Sequence, residues 1–192
     1  MELWFTEEWL KGLRISVKVD SVVYSTQTEY QKLAIYDTKQ FGRMLVLDDV
    51  IQTTECDEYI YHECLAHVPM FAHPNPENVL IVGGGDGGTL REVLRHPTVK
   101  KATLVDIDGG VIEASKRFLH QWNSGFSDPR ANIIVGDGLE FVSNADSEYD
   151  VILVDATDPV GPGEVLFALD FYRSVKKASK PGGIMSAQTE SP

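Results

Sequence analysis

Long apolar runs are missing from this 192-residue chain. No stretch reaches the roughly 18 residues that a membrane-spanning helix needs, so a helical span is excluded. Basic residues are scarce: 17 Lys and Arg face 29 Asp and Glu, a net charge of −12. That balance disfavours nucleic acid and anionic lipid, which need basic surfaces, and is compatible with a cationic substrate. Cysteine is nearly absent. Cys56 and Cys64 have no companion ligands at zinc-like spacing, which argues against a metal knot or a disulfide framework and for two reduced thiols. The first residues lack the basic start and apolar core of a signal peptide. The chain is therefore expected to be soluble and cytoplasmic, with no nucleic-acid or membrane partner. Internal repeats and low-complexity tracts are also missing.

What is present is an ordinary globular share of apolar residues, 43%, arranged in two rhythms. Residues 14–24 alternate loosely through Ile15, Val17, Val19, Val22 and Val23, and residues 30–36 and 43–52 are further strand candidates. Without crossover helices their pairing should be antiparallel, giving a small N-terminal β-hairpin domain over residues 1–55. A helix and linker follow over 56–76. Over Thr54 to Phe71, Tyr59, His62, Leu65, Ala66 and Val68 recur at helical spacing, Thr54 and Asp57 resemble a capping signal, and Pro69 with the Pro74 to Pro76 segment is expected to end the helix. From residue 77 to 192 strands and helices alternate: strands at 79–82, 102–107, 131–135, 149–154 and 183–187, helices at 89–96, 110–119, 138–145 and 167–179. Continuous apolar strands alternating with helices predict a Rossmann-like α/β domain, a parallel sheet with helices on both faces. A sheet stopping at the fifth strand would leave a bare edge, so the domain is expected to be incomplete at its C-terminus.

The chemistry concentrates where these strands end. Ile81 and Val82 run into Gly83, Gly84, Gly85, Asp86, Gly87 and Gly88, and a helix follows. Glycines there allow positive φ and close approach of a ligand to the backbone, and the helix start adds a partial positive charge. Asp106 ends the next strand about 20 residues on, where an acid binds ribose hydroxyls in nucleoside sites. Asp108 beside it suits a helix N-cap. Asp137 and Gly138 close the third strand, and Asp155 closes the fourth. A lone acid after a strand is usually a cap or turn former; four at one sheet edge favour a site. Asp86 is the odd member, because a carboxylate inside a glycine loop would repel phosphate and welcome an ammonium group.

Residues 83–88, Leu104 to Asp108, Gly136 to Gly138, Asp155 to Pro162 and Val50 to Glu63 together resemble the spermidine synthase (polyamine aminopropyltransferase) family of bacterial type over essentially the whole chain. The resemblance implies transfer of an aminopropyl group from decarboxylated S-adenosylmethionine to putrescine. The products would be spermidine and S-methyl-5'-thioadenosine, with no metal and no tightly bound cofactor. By motif match it assigns Gln31, Gly83, Gly85, Asp106, Asp137, Gly138 and Pro162 to the nucleoside, although the family more often carries glutamate where Asp106 stands. It assigns Tyr61, His62, Asp86 and Asp158 to the amine chains and Asp155 to the catalytic base. It also implies a homodimer or homotetramer.

These residue types fit that reaction. Putrescine is a dication near neutral pH, as lysine-like amines are. One proton must leave before nitrogen can attack, and Asp155 is placed to take it. The bland reading of Asp155 and Asp158 is turn chemistry before Pro159. His62, flanked by Tyr59 and Leu65, reads by itself as a half-buried helix histidine; the resemblance moves it to the amine side. His67, His73, His96 and His120 show no ligand spacing, and Trp4, Trp9 and Trp122 read as packing residues. Two other functions stay open: an S-adenosylmethionine-dependent methyltransferase, against which Asp86 speaks because it would repel the methionine carboxylate, and a nucleoside-binding fragment that turns over poorly. Acceptor choice among putrescine, cadaverine and agmatine is not readable.

Overall fold

The computed structural model describes residues 2–157 and 165–189. Six antiparallel strands come first. β1 (Leu3–Leu10) and β2 (Leu13–Val19) form a hairpin, and β3 (Ser21–Gln27), β4 (Lys32–Thr38), β5 (Gly42–Leu47) and β6 (Val50–Thr54) form a four-stranded meander. The predicted strand at 14–24 is thus two strands, β2 and β3, that belong to different sheets. The predicted strand at 43–52 is also two, because Asp48 and Asp49 take positive φ (46° and 64°) and turn the chain back between β5 and β6. Two consecutive aspartates carry that turn without any glycine to announce it.

The meander is apolar on both faces. Leu33, Ile35, Leu45 and Leu47 pack against Val111, Ala114, Leu119 and Trp122 of the following domain. Met44 and Val46 point the other way, onto Phe5, Val17 and Val19 of the hairpin. Trp122 is a packing residue, fully buried, but Trp4 and Trp9 are 52% and 63% exposed, contrary to expectation: Trp4 alternates with buried Phe5, and Trp9 falls where the pairing with β2 shifts register near the hairpin tip.

Helix α1 (Glu58–Ala72) joins the two parts. It ends within a residue of the expected Phe71 and just before Pro74, with Pro69 lying inside it, and the Pro69 carbonyl accepts from the His73 N–H at 3.1 Å. Thr54 donates to Asp57 at 2.7 Å, but Asp57, the N-cap residue, makes no side-chain cap bond to the helix.

The second part is a five-stranded parallel sheet of β7 (Asn78–Gly83), β8 (Lys101–Asp106), β9 (Ala131–Val135), β10 (Tyr149–Asp155) and β11 (Ser179–Ala187), in the order β11-β10-β7-β8-β9. Helices α2 (Gly88–Leu94), α3 (Gly109–Phe118), α4 (Gly138–Asn144) and α5 (Leu169–Ala178) connect them. Strand residues alternate between two cores. Val79, Ile81, Leu104, Val151 and Leu153 meet Ala66 and Met70 of α1 and Leu90 and Val93 of α2. Leu80, Val82, Val105, Ile152 and Val154 meet Val142 of α4 and Phe171 and Val175 of α5. A strand buried on both faces reads as one apolar run, which is why these strands were legible in sequence.

The strand order fixes where a ligand can sit. The chain winds outward from β7 to β9, then returns to the far side of β7 with β10. This reversal opens a crevice beyond the carboxyl ends of β7 and β10. Gly83 and Asp155, the last residues of those strands, stand side by side in register.

Candidate active site

A cavity of about 540 Å³ occupies that crevice, closed from above by β5 and β6 of the meander. Asp86, Asp106, Asp137 and Asp155 all line it, together with Gln31, Tyr61, Gly83, Gly85 and Gly138. The sheet therefore brings the four acids picked out at its strand ends to one place. Asp158 and Pro162 lie outside the described residues.

The glycine loop makes the close approach possible. Gly83 has φ +82°, and a Cβ there would collide with the Asp155 carbonyl. Gly84 N–H donates to that same carbonyl at 2.8 Å, stitching the loop to β10.

Asp155 is held from two sides. Tyr61 of α1 donates to Oδ1 and Thr89 of α2 to Oδ2, each at 2.6 Å. Burial, reinforced by the nearby Asp86 charge, pushes the Asp155 carboxyl up from its ordinary range, against the pull of His62, Thr89 and Tyr61. Burial and the Asp155 charge also raise the Tyr61 phenol, so it remains a donor. Thr89, fully buried, carried no signal in sequence.

Asp86 is already engaged by the protein. Oδ1 accepts from Gly88 N–H at 2.9 Å, and Oδ2 lies 3.2 Å from His62 Nε2. His62 is 1% exposed and packs on Gly88, where any Cβ would strike its ring. The ring stands behind Asp86 and is not part of the cavity lining. The amine contact that the family resemblance implies for His62 therefore reaches the cavity only by way of Asp86. Its Nδ1 meets Glu58 Oε2 at 2.6 Å, and Glu58 is forked by Arg91 through two bonds of 2.9 Å. Burial alone would depress the imidazole, but Asp86 and Glu58 push it up to about 10. Glu58 and Arg91 were also missed in sequence, because they meet across two separate helices.

At the other end Asp106 accepts from Gly85 N–H at 2.9 Å and Asp108 N–H at 2.8 Å. Burial raises its carboxyl to about 6, despite those two bonds. Asp108 is the N-cap of α3, accepting from Gly110 N–H at 2.9 Å, as its position predicts. Gln31 donates to Asp108 at 2.9 Å, so its amide is tethered at the cavity wall. Asp137 caps α4, with Oδ1 accepting from Leu139 and Glu140 N–H at 2.7 and 3.0 Å.

Two side-chain groups among the described residues have metal-ligating composition: His62, Asp86 and Asp155, and, on the far side of α1 and α2, Glu63, His67 and Glu92. In the first, both His62 nitrogens already face carboxylates. In the second, Arg91 and Arg95 lie 2.6 and 2.7 Å from Glu92 and supply its counter-charge. Of the two, only the first has members, Asp86 and Asp155, that line the cavity.

The fold and this crevice define a Rossmann-like protein with an acid-lined cavity at the switch point of its sheet. The model of the spermine/spermidine synthase domain matches residues 58–192, and that of the spermidine synthase tetramerisation domain matches residues 3–55. The polyamine aminopropyltransferase of Bacillus mycoides (strain KBAB4) is 54% identical over all 192 residues, which cover 70% of its length. That of Bacillus subtilis (strain 168) is 52% identical over 191 residues, 69% of its length. A crystal structure of spermidine synthase in complex with the transition state analogue AdoDATO superposes with a TM-score of 0.97 at 48% identity, covering 99% of this chain and 66% of that one. Spermidine synthase from Thermotoga maritima gives 0.93 at 46% identity, covering 99% and 64%. The chain thus spans just under two thirds of these solved chains, and it belongs to the spermine/spermidine synthase family.

Proposed function

We propose that this chain is an aminopropyltransferase that moves the aminopropyl group of decarboxylated S-adenosylmethionine to putrescine, yielding spermidine and methylthioadenosine. The observation that carries the reading is the gathering of Asp86, Asp106, Asp137 and Asp155 around one cavity at the switch point of the sheet. Asp106 takes the ribose hydroxyls, Gln31 and the segment Asp137 to Gly138 border the nucleoside, and Gly83 and Gly85 let it approach the backbone. Asp86 and Asp155, with Tyr61 alongside, face the amines. By motif match alone, Asp158 is assigned to the second ammonium and Pro162 to the nucleoside.

Asp155 accepts a proton from the attacking ammonium. The freed nitrogen lone pair then displaces sulfur at the adjacent carbon: the new C–N bond forms, the C–S bond breaks, and the electron pair stays on sulfur as a neutral thioether. The sulfonium is already an activated leaving group, so alignment of nitrogen, carbon and sulfur supplies much of the rate. A carboxyl raised by burial suits a base acting near neutrality.

Intact S-adenosylmethionine would bring a carboxylate toward Asp86, which disfavours a methyltransferase. Calorimetric titration with decarboxylated and intact donor, followed by assay of methylthioadenosine release with putrescine, tests the reading. Decarboxylated donor should bind more tightly and release product. Equal or tighter binding of the intact donor overturns the assignment, and donor binding without product favours a nucleoside-binding fragment. We infer a homodimer or homotetramer, supported by the match of residues 3–55 to a tetramerisation domain and by exposed Trp4, Trp9 and Leu10 on the hairpin. A cytoplasmic location is supported by two unbridged cysteines.

A further inference from the structure

We propose that Glu58, clamped by Arg91, is a positioning residue for the amine side of the cavity: through the His62 ring it holds the Asp86 carboxylate in place beside Asp155. The inference rests on the aminopropyltransferase reading for its kinetic consequence, but its structural part stands by itself. Arg91, Glu58, His62 and Asp86 form a line of alternating charge that crosses from α2 to α1 to the glycine loop. The contacts are 2.9 Å from each guanidinium N–H to Glu58, 2.6 Å from Glu58 to His62 Nδ1 and 3.2 Å from His62 Nε2 to Asp86. Glu58, His62 and Asp86 are 7%, 1% and 8% exposed, yet only Asp86 reaches the cavity.

The geometry favours a protonated ring. Nδ1 of His62 is hydrogen-bonded to Glu58, Nε2 lies 3.2 Å from Asp86 outside hydrogen-bond geometry, and only a ring protonated on both nitrogens sets a positive charge between the two carboxylates. A neutral ring with its proton toward Glu58 would aim the Nε2 lone pair at Asp86. The groups facing this ring are Glu58 and Tyr61 on α1, Asp86 in the loop and Asp155 at the end of β10, with Arg91 of α2 behind Glu58. The rise of the imidazole to about 10 agrees. With Glu92 and its other partner Arg95 included, Arg91, Glu58, His62 and Asp86 then sum to zero charge, and Asp155 is left as the excess anion for the substrate ammonium. A buried charge line of this kind is a poor source of stability but a good source of orientation.

The test is Glu58→Gln in the full chain, which keeps the side-chain shape and removes the charge. NMR of the His62 ring should show an imidazolium through neutral pH in the parent and titration near neutrality in the variant. The putrescine KM should rise roughly tenfold or more, the size expected for outer residues that orient a site, while methylthioadenosine affinity stays within about twofold. If Glu58→Gln fails to fold, Arg91→Lys keeps the charge, loses the fork and should move both readouts the same way by less. A neutral His62 ring in the parent at pH 7, or an unchanged putrescine KM in a folded variant, overturns the proposal. A parent that releases no product sinks the aminopropyltransferase reading instead, and the ring titration still decides the positioning role.

Discussion

At the end of the cavity proposed for the nucleoside, Asp106 and Asp137 are held by main-chain N–H groups, most within three residues of them in sequence. At the end proposed for the amine, Asp155 is held by hydroxyls of Tyr61 and Thr89, 94 and 66 residues away. The first arrangement follows from a local turn and survives changes elsewhere. The second exists only once α1 and α2 have docked on the sheet. Binding at the nucleoside end should therefore be robust, and chemistry at the amine end sensitive to packing.

The difference can be broken at its strongest point first. Asp155→Asn removes the proton acceptor and should lower kcat about 10³-fold, within the range for a general base, while calorimetry finds methylthioadenosine affinity within about twofold. A near-normal rate would take Asp155 out of the base role. Asp106→Asn should do the reverse, weakening methylthioadenosine binding about tenfold or more through the lost charged acceptor. In the parent, the ionised Asp106 should accept from both ribose hydroxyls more strongly than the neutral acid, so affinity should be full well above about 6 and decline as pH falls through that value. A flat affinity from about pH 5 to 8, across the ionisation of such a carboxyl, would count against its ribose role. The smallest effect is expected of Thr89→Val. It leaves both charges in place but deletes a bond that lowers the Asp155 carboxyl, so the acid limb of kcat/KM should move to higher pH and kcat should fall about threefold to tenfold. An unmoved limb would show that Thr89 only packs.

The parallel sheet was legible because Val79 to Val82 and Val151 to Val154 are apolar on both faces, a pattern that a half-exposed strand does not produce. Asp108 was legible as a cap because its partner, Gly110 N–H, is two residues away. The turn at Asp48 and Asp49 was not, since its positive φ values are imposed by the pairing of β5 with β6. The end of α1 was legible to within a residue, because Pro74 disfavours helical geometry at His73 before it.

The amino-acid sequence by itself determined which carboxylates stand at strand ends and which loop is glycine-rich, because strand period and turn chemistry are local properties. Only the tertiary structure decided that His62 sits behind Asp86, that Thr89 and Tyr61 grip Asp155, and that Arg91 and Glu58 stand behind His62. Those contacts depend on how α1 and α2 pack against the sheet, and no spacing along the chain encodes that distance.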